Sequence, residues 1–198
     1  MKFRNVLTVL AAGIMTCGGV SGLAAETPAP KSSKVLIAFF SYSGNTRAAA
    51  KQIQEKVGGD LYEIKPRKPY PSSHNACVVI ARKEIKSGTA PALAEEKDIT
   101  GYDIIFLGSP NWWGTMAPPV LSFIKKNNFA GKTVIPFFTH GGGGVQNCEK
   151  DMRRICGSVG ASKILGAGVY TGSLFRERVP ELEQWAEKSL KEALSKKK

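Results

Sequence analysis

Near-continuous apolar runs alternate with amphipathic stretches along most of the chain. "KVLIAFF" (34–40), "YDIIFLGS" (102–109), "KTVIPFFT" (132–139) and "KILGAGVY" (163–170) each read as a buried strand, and "DLYEIKP" (60–66) as a short alternating one. Between and after them, "NTRAAAKQIQEKVGG", "APPVLSFIKKN", "VQNCEKDMRRICG" and "VPELEQWAEKSLKEAL" carry helical periodicity. Glycines stop the first and third, and prolines sit at the start of the second and fourth. The stretch 66–98 holds a Pro-rich turn, "KPYPSS", and a helix expected around Ala76 to Lys86. Strands without polar alternation are buried on both faces, which is the pattern of a parallel sheet covered by helices on each side. The pattern therefore predicts an α/β fold: a doubly wound, five-stranded, open sheet whose ligand site lies beyond the carboxyl ends of its strands.

The first residues stand apart from this pattern. Lys2 and Arg4 precede an apolar or small stretch, Val6 to Val20, and small residues lead into polar sequence by Ala25. That is a secretory signal over residues 1–25, with cleavage between Gly22 and Ala25, followed by a linker at 26–33 and the domain at 34–198. A lipoprotein signal processed at Cys17 is the rival, but "IMT" lacks the small residue expected before such a cysteine. The expected location is outside the cytoplasm, most simply a bacterial periplasm, with no membrane span. The formal charge of +12 falls to +10 without Lys2 and Arg4, and its lysines are scattered, so nucleic acid is not an expected partner. Cys77, Cys148 and Cys156 remain after the signal. On one continuous helix Cys148 and Cys156 would stand about 12 Å apart, too far to bridge. Any disulfide would then need Cys77 or a break in that helix. No CxxC and no His/Cys cluster has zinc spacing, so no metal is expected.

The chemistry-bearing residues fall in three loops after the first, third and fourth predicted strands: "SYSGNT", "SPNWWGTMAPP" and "THGGGG". The first suits an anchoring phosphate. A tight turn at a helix N-terminus offers backbone N–H groups and the helix dipole, and Ser41, Ser43 and Thr46 add hydroxyls. A plain Ser/Asn helix cap is the simpler reading of this loop alone. Neither GxxxxGK[ST] nor GxGxxG occurs here. Ser41 and Arg47 have the spacing of a small tyrosine phosphatase's Cys and Arg, but serine is a weak nucleophile without an activating base. Adjacent tryptophans on an extended segment point opposite ways, so one of Trp112 and Trp113 can stack on a ligand, and Trp112 is favoured. Core packing is the alternative for the tryptophans, and a flexible loop for the glycine run.

Taken in order, "GSPNWWGTMAPPVLSF" and "GKTVIPFFTHGGGG", with the first loop and "YPSSHNACVVIARKEI", resemble the flavodoxin family from about Lys34 to the C-terminus. The resemblance implies strand order 2-1-3-4-5 and non-covalently bound FMN. By position, Ser41, Tyr42, Ser43, Gly44, Asn45 and Thr46 would hold the phosphate. Pro110, Asn111, Trp112, Trp113 and Gly114 would flank the ribityl chain and ring, and Thr139, His140, Gly141, Gly142 and Gly143 the ring's other edge.

Two departures shape the expected function. In small electron carriers of the family a glycine directly follows the stacking aromatic and lets a peptide turn over. Trp113 takes that place here, and a non-glycine residue resists positive φ. One-electron shuttling is therefore expected to be poor, and two-electron reduction of quinone-type acceptors becomes the expectation. The carriers are also typically acidic, whereas this chain is basic, which implies a different redox donor and acceptor. His140 is either a proton donor at the ring or an exposed loop histidine, and His74 is expected to be structural or solvent-facing. The leading reading is an FMN-dependent redox protein. A module that holds FMN, or another phosphorylated planar ligand, without turnover is the alternative, and an inactive phosphatase a third.

Overall fold

The structure, a computed structural model, describes residues 33–172 and 177–195. The signal expected at 1–25 and most of the linker lie outside the described residues, as does the end of the Lys-rich tail. In order, the elements are β1 (Val35–Phe39), α1 (Asn45–Val57), β2 (Asp60–Glu63), α2 (His74–Ser87), β3 (Ile104–Trp112), β4 (Thr115–Met116), α3 (Pro118–Lys126), β5 (Thr133–His140), α4 (Cys148–Ser158), β6 (Lys163–Ile164), β7 (Gly168–Thr171) and α5 (Pro180–Leu194).

The sheet runs β2-β1-β3-β5-β6 with parallel neighbours, and β7 also pairs with β5. This is the expected 2-1-3-4-5 order, because the fourth predicted strand is β5 and the fifth is divided into β6 and β7. The division has a local cause. Val134 pairs with Ile164 and Phe137 with Gly168, so three steps on β5 face four on its partner. One residue is extra, as in a β-bulge, and the stretch contains Gly166. Strand residues alternate between two cores. Leu36, Ala38, Ile105, Leu107, Val134 and Phe138 belong to the cluster that includes α3 and α4, while Ile37, Phe39, Ile104, Phe106, Ile135 and Phe137 meet α1 and α5. Helix α2 stands at the margin and buries only Cys77 and Ala81.

The third predicted strand is longer than expected. β3 continues to Trp112, then folds back antiparallel onto β4, pairing Trp112 with Thr115. The two residues between them, Trp113 and Gly114, have φ of 54° and 83°, which is the signature of a type I′ hairpin turn. The premise that Trp113 keeps its backbone out of the positive-φ region is thus corrected: the hairpin places it there.

Gly108, in the middle of β3, lies in register with Phe39 and Phe137. A Cβ on Gly108 would fall 2.2 Å from Cζ of the buried Phe137 ring. Gly108→Ala should therefore cost about 1–3 kcal/mol, read from the urea midpoint, because a rigid aromatic ring cannot yield without disturbing the core.

Cys148 and Cys156 lie on unbroken α4, and all three described cysteines are buried free thiols. Burial pushes Cys148 and Cys156 up to about 12, with Asp151 adding to the rise at Cys148. The unfolded thiols ionise near 9.0 while the folded ones keep their protons, so stability is retained below pH 9 and falls as pH rises toward 12. Urea midpoints at pH 7 and pH 10 should show this loss, and the Cys148→Ala/Cys156→Ala variant should show less of it.

Candidate functional site

Parallel pairing of β1, β3 and β5 sets the three loops side by side at one edge of the sheet, and hydrogen bonds then fix them. Thr46 at the start of α1 and Thr139 near the end of β5 share a buried hydroxyl–hydroxyl bond of 2.8 Å. Asn111 donates through Nδ2 to the Gly144 carbonyl at 2.6 Å and accepts the Gly114 N–H at 2.9 Å. Asn147 N–H donates to the Gly114 carbonyl at 2.9 Å, and a Cβ on Gly114 would fall 2.5 Å from Oε1 of Gln146. The hairpin and the glycine-rich loop are thereby tied into one surface.

Beside them opens a cavity of about 560 Å³. Of the residues singled out by sequence, Tyr42, Asn111, Trp112, Trp113, Gly114, His140, Gly141 and Gly143 line it. Ser41, Ser43, Gly44, Asn45, Thr46, Pro110, Thr139 and Gly142 do not. The six-residue first loop therefore contributes only Tyr42 to the cavity wall. Its other residues form a turn: Ser41 Oγ accepts the Gly44 N–H at 3.2 Å, and Gly44 takes the left-handed conformation that starts α1. No side-chain cap closes that helix end, so its first-turn N–H groups lack the partner that a simple Ser/Asn cap would give them. Thr46 differs from expectation in one respect, since its hydroxyl is engaged with Thr139. Asn45 packs beneath Gly172, where an added Cβ would lie 2.3 Å from its Nδ2.

The aromatic wall is built around Trp112. Its ring stands nearly perpendicular to those of Phe40, Tyr42 and Tyr70, with centroids 5.4, 5.8 and 5.0 Å away. The Tyr42 hydroxyl donates to the Pro71 carbonyl at 2.8 Å and so ties this wall to the Pro-rich turn. Burial, together with the Glu84 carboxylate that accepts its hydroxyl, raises the ionisation of Tyr70 far above the ordinary range. Trp113, the first turn residue beyond β3 with a φ of 54°, is directed instead toward α2. It is 52% exposed, donates its indole N–H to the Val78 carbonyl at 3.3 Å and lies 4.9 Å beneath the Arg82 guanidinium.

The fourth wall was missed by sequence reading. His74, Cys77, Val78 and Ala81 of α2 line the cavity, as does Gln146. His74 was expected to be structural or solvent-facing; it is exposed and also borders the cavity, so both histidines of the chain meet the same space. His140 Nδ1 accepts the Gly142 N–H at 3.1 Å, leaving Nε2 as its N–H. Burial raises the Cys77 thiol, which makes it a neutral part of the wall. Among the described residues, no carboxylate lines the cavity. Arg47 pairs with Glu63 through Nε at 3.0 Å and through Nη2, which commits the guanidinium away from any phosphatase-like role.

Comparison with known proteins now decides the family. The flavodoxin profile matches residues 34–189. This chain belongs to the flavodoxin family. Among solved structures, a proposed flavoprotein from Bacteroides uniformis is 32% identical, with 78% of this chain and 98% of that one covered and a TM-score of 0.64. Another from Bacteroides eggerthii is 29% identical over 83% of this chain and 99% of that one, with a TM-score of 0.67. A Lactobacillus acidophilus flavoprotein, solved in complex with FMN, shares the fold at 23% identity, covering 78% and 99% of the two chains with a TM-score of 0.62. No curated protein matches the chain.

Asn111→Ala would remove both ties to Gly144 and Gly114. It should cost about 1–3 kcal/mol and speed amide exchange at Gly114, measured by urea denaturation and hydrogen exchange.

Proposed function

We propose that this flavodoxin binds FMN non-covalently and acts as a redox protein outside the cytoplasm. The observation that carries the reading is the junction of two unlike half-sites at one sheet edge. One is a cavity with an aromatic wall; the other is a hydroxyl-bearing turn at the open N-terminus of α1. A flat heterocycle with a phosphate tail asks for this pair.

The residues present fit the group. Ser43, and the N–H groups of Asn45, Thr46 and Arg47 in the uncapped first turn of α1, would be the donors for a phosphate, while Ser41, which accepts the Gly44 N–H, shapes the turn. Trp112, held by three rings, is the face for stacking. Gly141 lines the cavity, and a Cβ there meets no protein atom, so the backbone leaves room for a ring edge. The backbone of Gly141 and Gly143 and the His140 Nε2 would be available to the polar edge of the ring, with Cys77, Val78 and Ala81 of α2 as an apolar wall. FMN, when bound, supplies reversible two-electron redox chemistry, and the protein sets its pose and surroundings. Two-electron reduction of a quinone-type acceptor is the reaction we assign, with His74 and His140 placed to deliver protons at the cavity mouth. It no longer rests on a backbone barrier at Trp113, whose φ is already positive. A bacterial periplasm remains the proposed location, from the leader sequence alone.

Titration with FMN and with riboflavin, followed by visible absorption, tests the reading. FMN should bind at least tenfold more tightly, since only it engages the turn at α1. Trp112→Ala should weaken FMN by about 1–3 kcal/mol, in line with loss of one stacking face. Gly141→Val should leave the urea midpoint unchanged yet block the ring. Reduction of the loaded protein followed by reoxidation with a quinone separates a redox protein from a holding module, which would bind FMN without turnover.

A further inference from the structure

We propose that the outer face of α2, together with Trp113, is the docking surface for an acidic one-electron carrier protein that reduces this flavodoxin; the inference rests on the redox reading above. Val79, Arg82, Lys83 and Lys86 recur at helical spacing and, with Ser87, line a shallow depression on one face of α2. Three of the four large exposed hydrophobic residues among those described gather here: Val79 at 68%, Trp113 at 52% and Ile80 at 39% exposed. An apolar centre of this kind ringed by charge is the anatomy of a protein contact.

The charge on that face is uncompensated. Nine ion pairs join cations elsewhere to carboxylates, but among the described residues Arg82, Lys83 and Lys86 have none. Glu84, the one acidic residue of α2, is committed to the Tyr70 hydroxyl. A second copy of the chain is a poor occupant, because a symmetric contact would set these three cations against themselves. An acidic protein complements them. The position also suits electron delivery. Trp113 belongs to both surfaces: it lines the cavity, and its ring lies under Arg82 on the docking face. A partner seated there stands against the cavity wall. Two reduced carriers docking in turn, each giving up one electron and leaving oxidised, with two protons from solvent, would account for full reduction of bound FMN.

The test titrates an oxidised acidic [2Fe–2S] ferredoxin into this protein, both without FMN and loaded with it, following amide shifts and affinity at several salt concentrations. Binding should perturb residues 79–87 and Trp113, and should weaken about tenfold or more as salt screens the contact. The Arg82→Glu/Lys83→Glu/Lys86→Glu variant should lose at least tenfold in affinity. The Lys51→Glu/Lys125→Glu/Lys188→Glu variant makes the same change in net charge on α1, α3 and α5 and should stay within about threefold of the parent. Equal losses in both variants, no binding, or perturbation elsewhere would overturn the proposal. So would binding of the parent, but not of the α2 variant, to phosphatidylglycerol vesicles while ferredoxin affinity is the same for both, which would make this a membrane face. Because the titration works without FMN, a failed docking surface is distinguishable from a failed cofactor assignment.

Discussion

Every feature of the site depends on β3 lying in parallel register between β1 and β5. Its centre is Gly108, which carries no side chain because the Phe137 ring occupies the volume a Cβ would need. With the strands buried on both faces, their polar chemistry is pushed to the ends. Parallel pairing then brings three carboxyl ends to one edge. The 40s turn, the 110s hairpin and the 140s loop are neighbours because of this pairing and not because of any contact among themselves. The bonds from Asn111, Asn147 and Thr46 come second: they hold loops that the sheet has already placed.

Much of this was legible in the sequence. Four apolar runs and one alternating one became the principal strands, and they stand in the order that the family resemblance implied. What escaped was whatever depends on a conformation that the local sequence disfavours, or on a partner distant in the chain. A Trp-Gly pair is not the usual type I′ turn, in which both central residues need positive φ and Asn-Gly leads, so β4 was not visible. The break in the last strand arises from one extra residue against β5, which no single-strand pattern reports. Helix α2 is the clearest case. Cys77, Val78 and Ala81 have the composition of ordinary core residues, and only their placement opposite Trp112 makes them a cavity wall. Thr46 was legible as part of the turn but not as the partner of Thr139, 93 residues away.

The two faces of α2 explain how a basic flavodoxin can be built from familiar parts. Its inner face closes a largely apolar cavity in which burial pushes the Cys77 thiol toward its uncharged form. Its outer face gathers apolar residues and cations that nothing in the described chain neutralises. Chemistry and recognition are thus separated by the thickness of one helix, with Trp113 at the boundary. The strained turn that places this indole is then a positioning device: φ of 54° turns Trp113 onto α2 while Trp112 stays inside the aromatic wall.

The central claim is that the turn at α1 and the aromatic cavity form one site for one molecule. Amide-resolved NMR during FMN titration tests it most directly. The account predicts concerted shifts, saturating together, at residues 41–47, 111–114 and 140–143 and along the inner face of α2. Shifts confined to the cavity with residues 41–47 unmoved, or confined to the turn at α1, would contradict it.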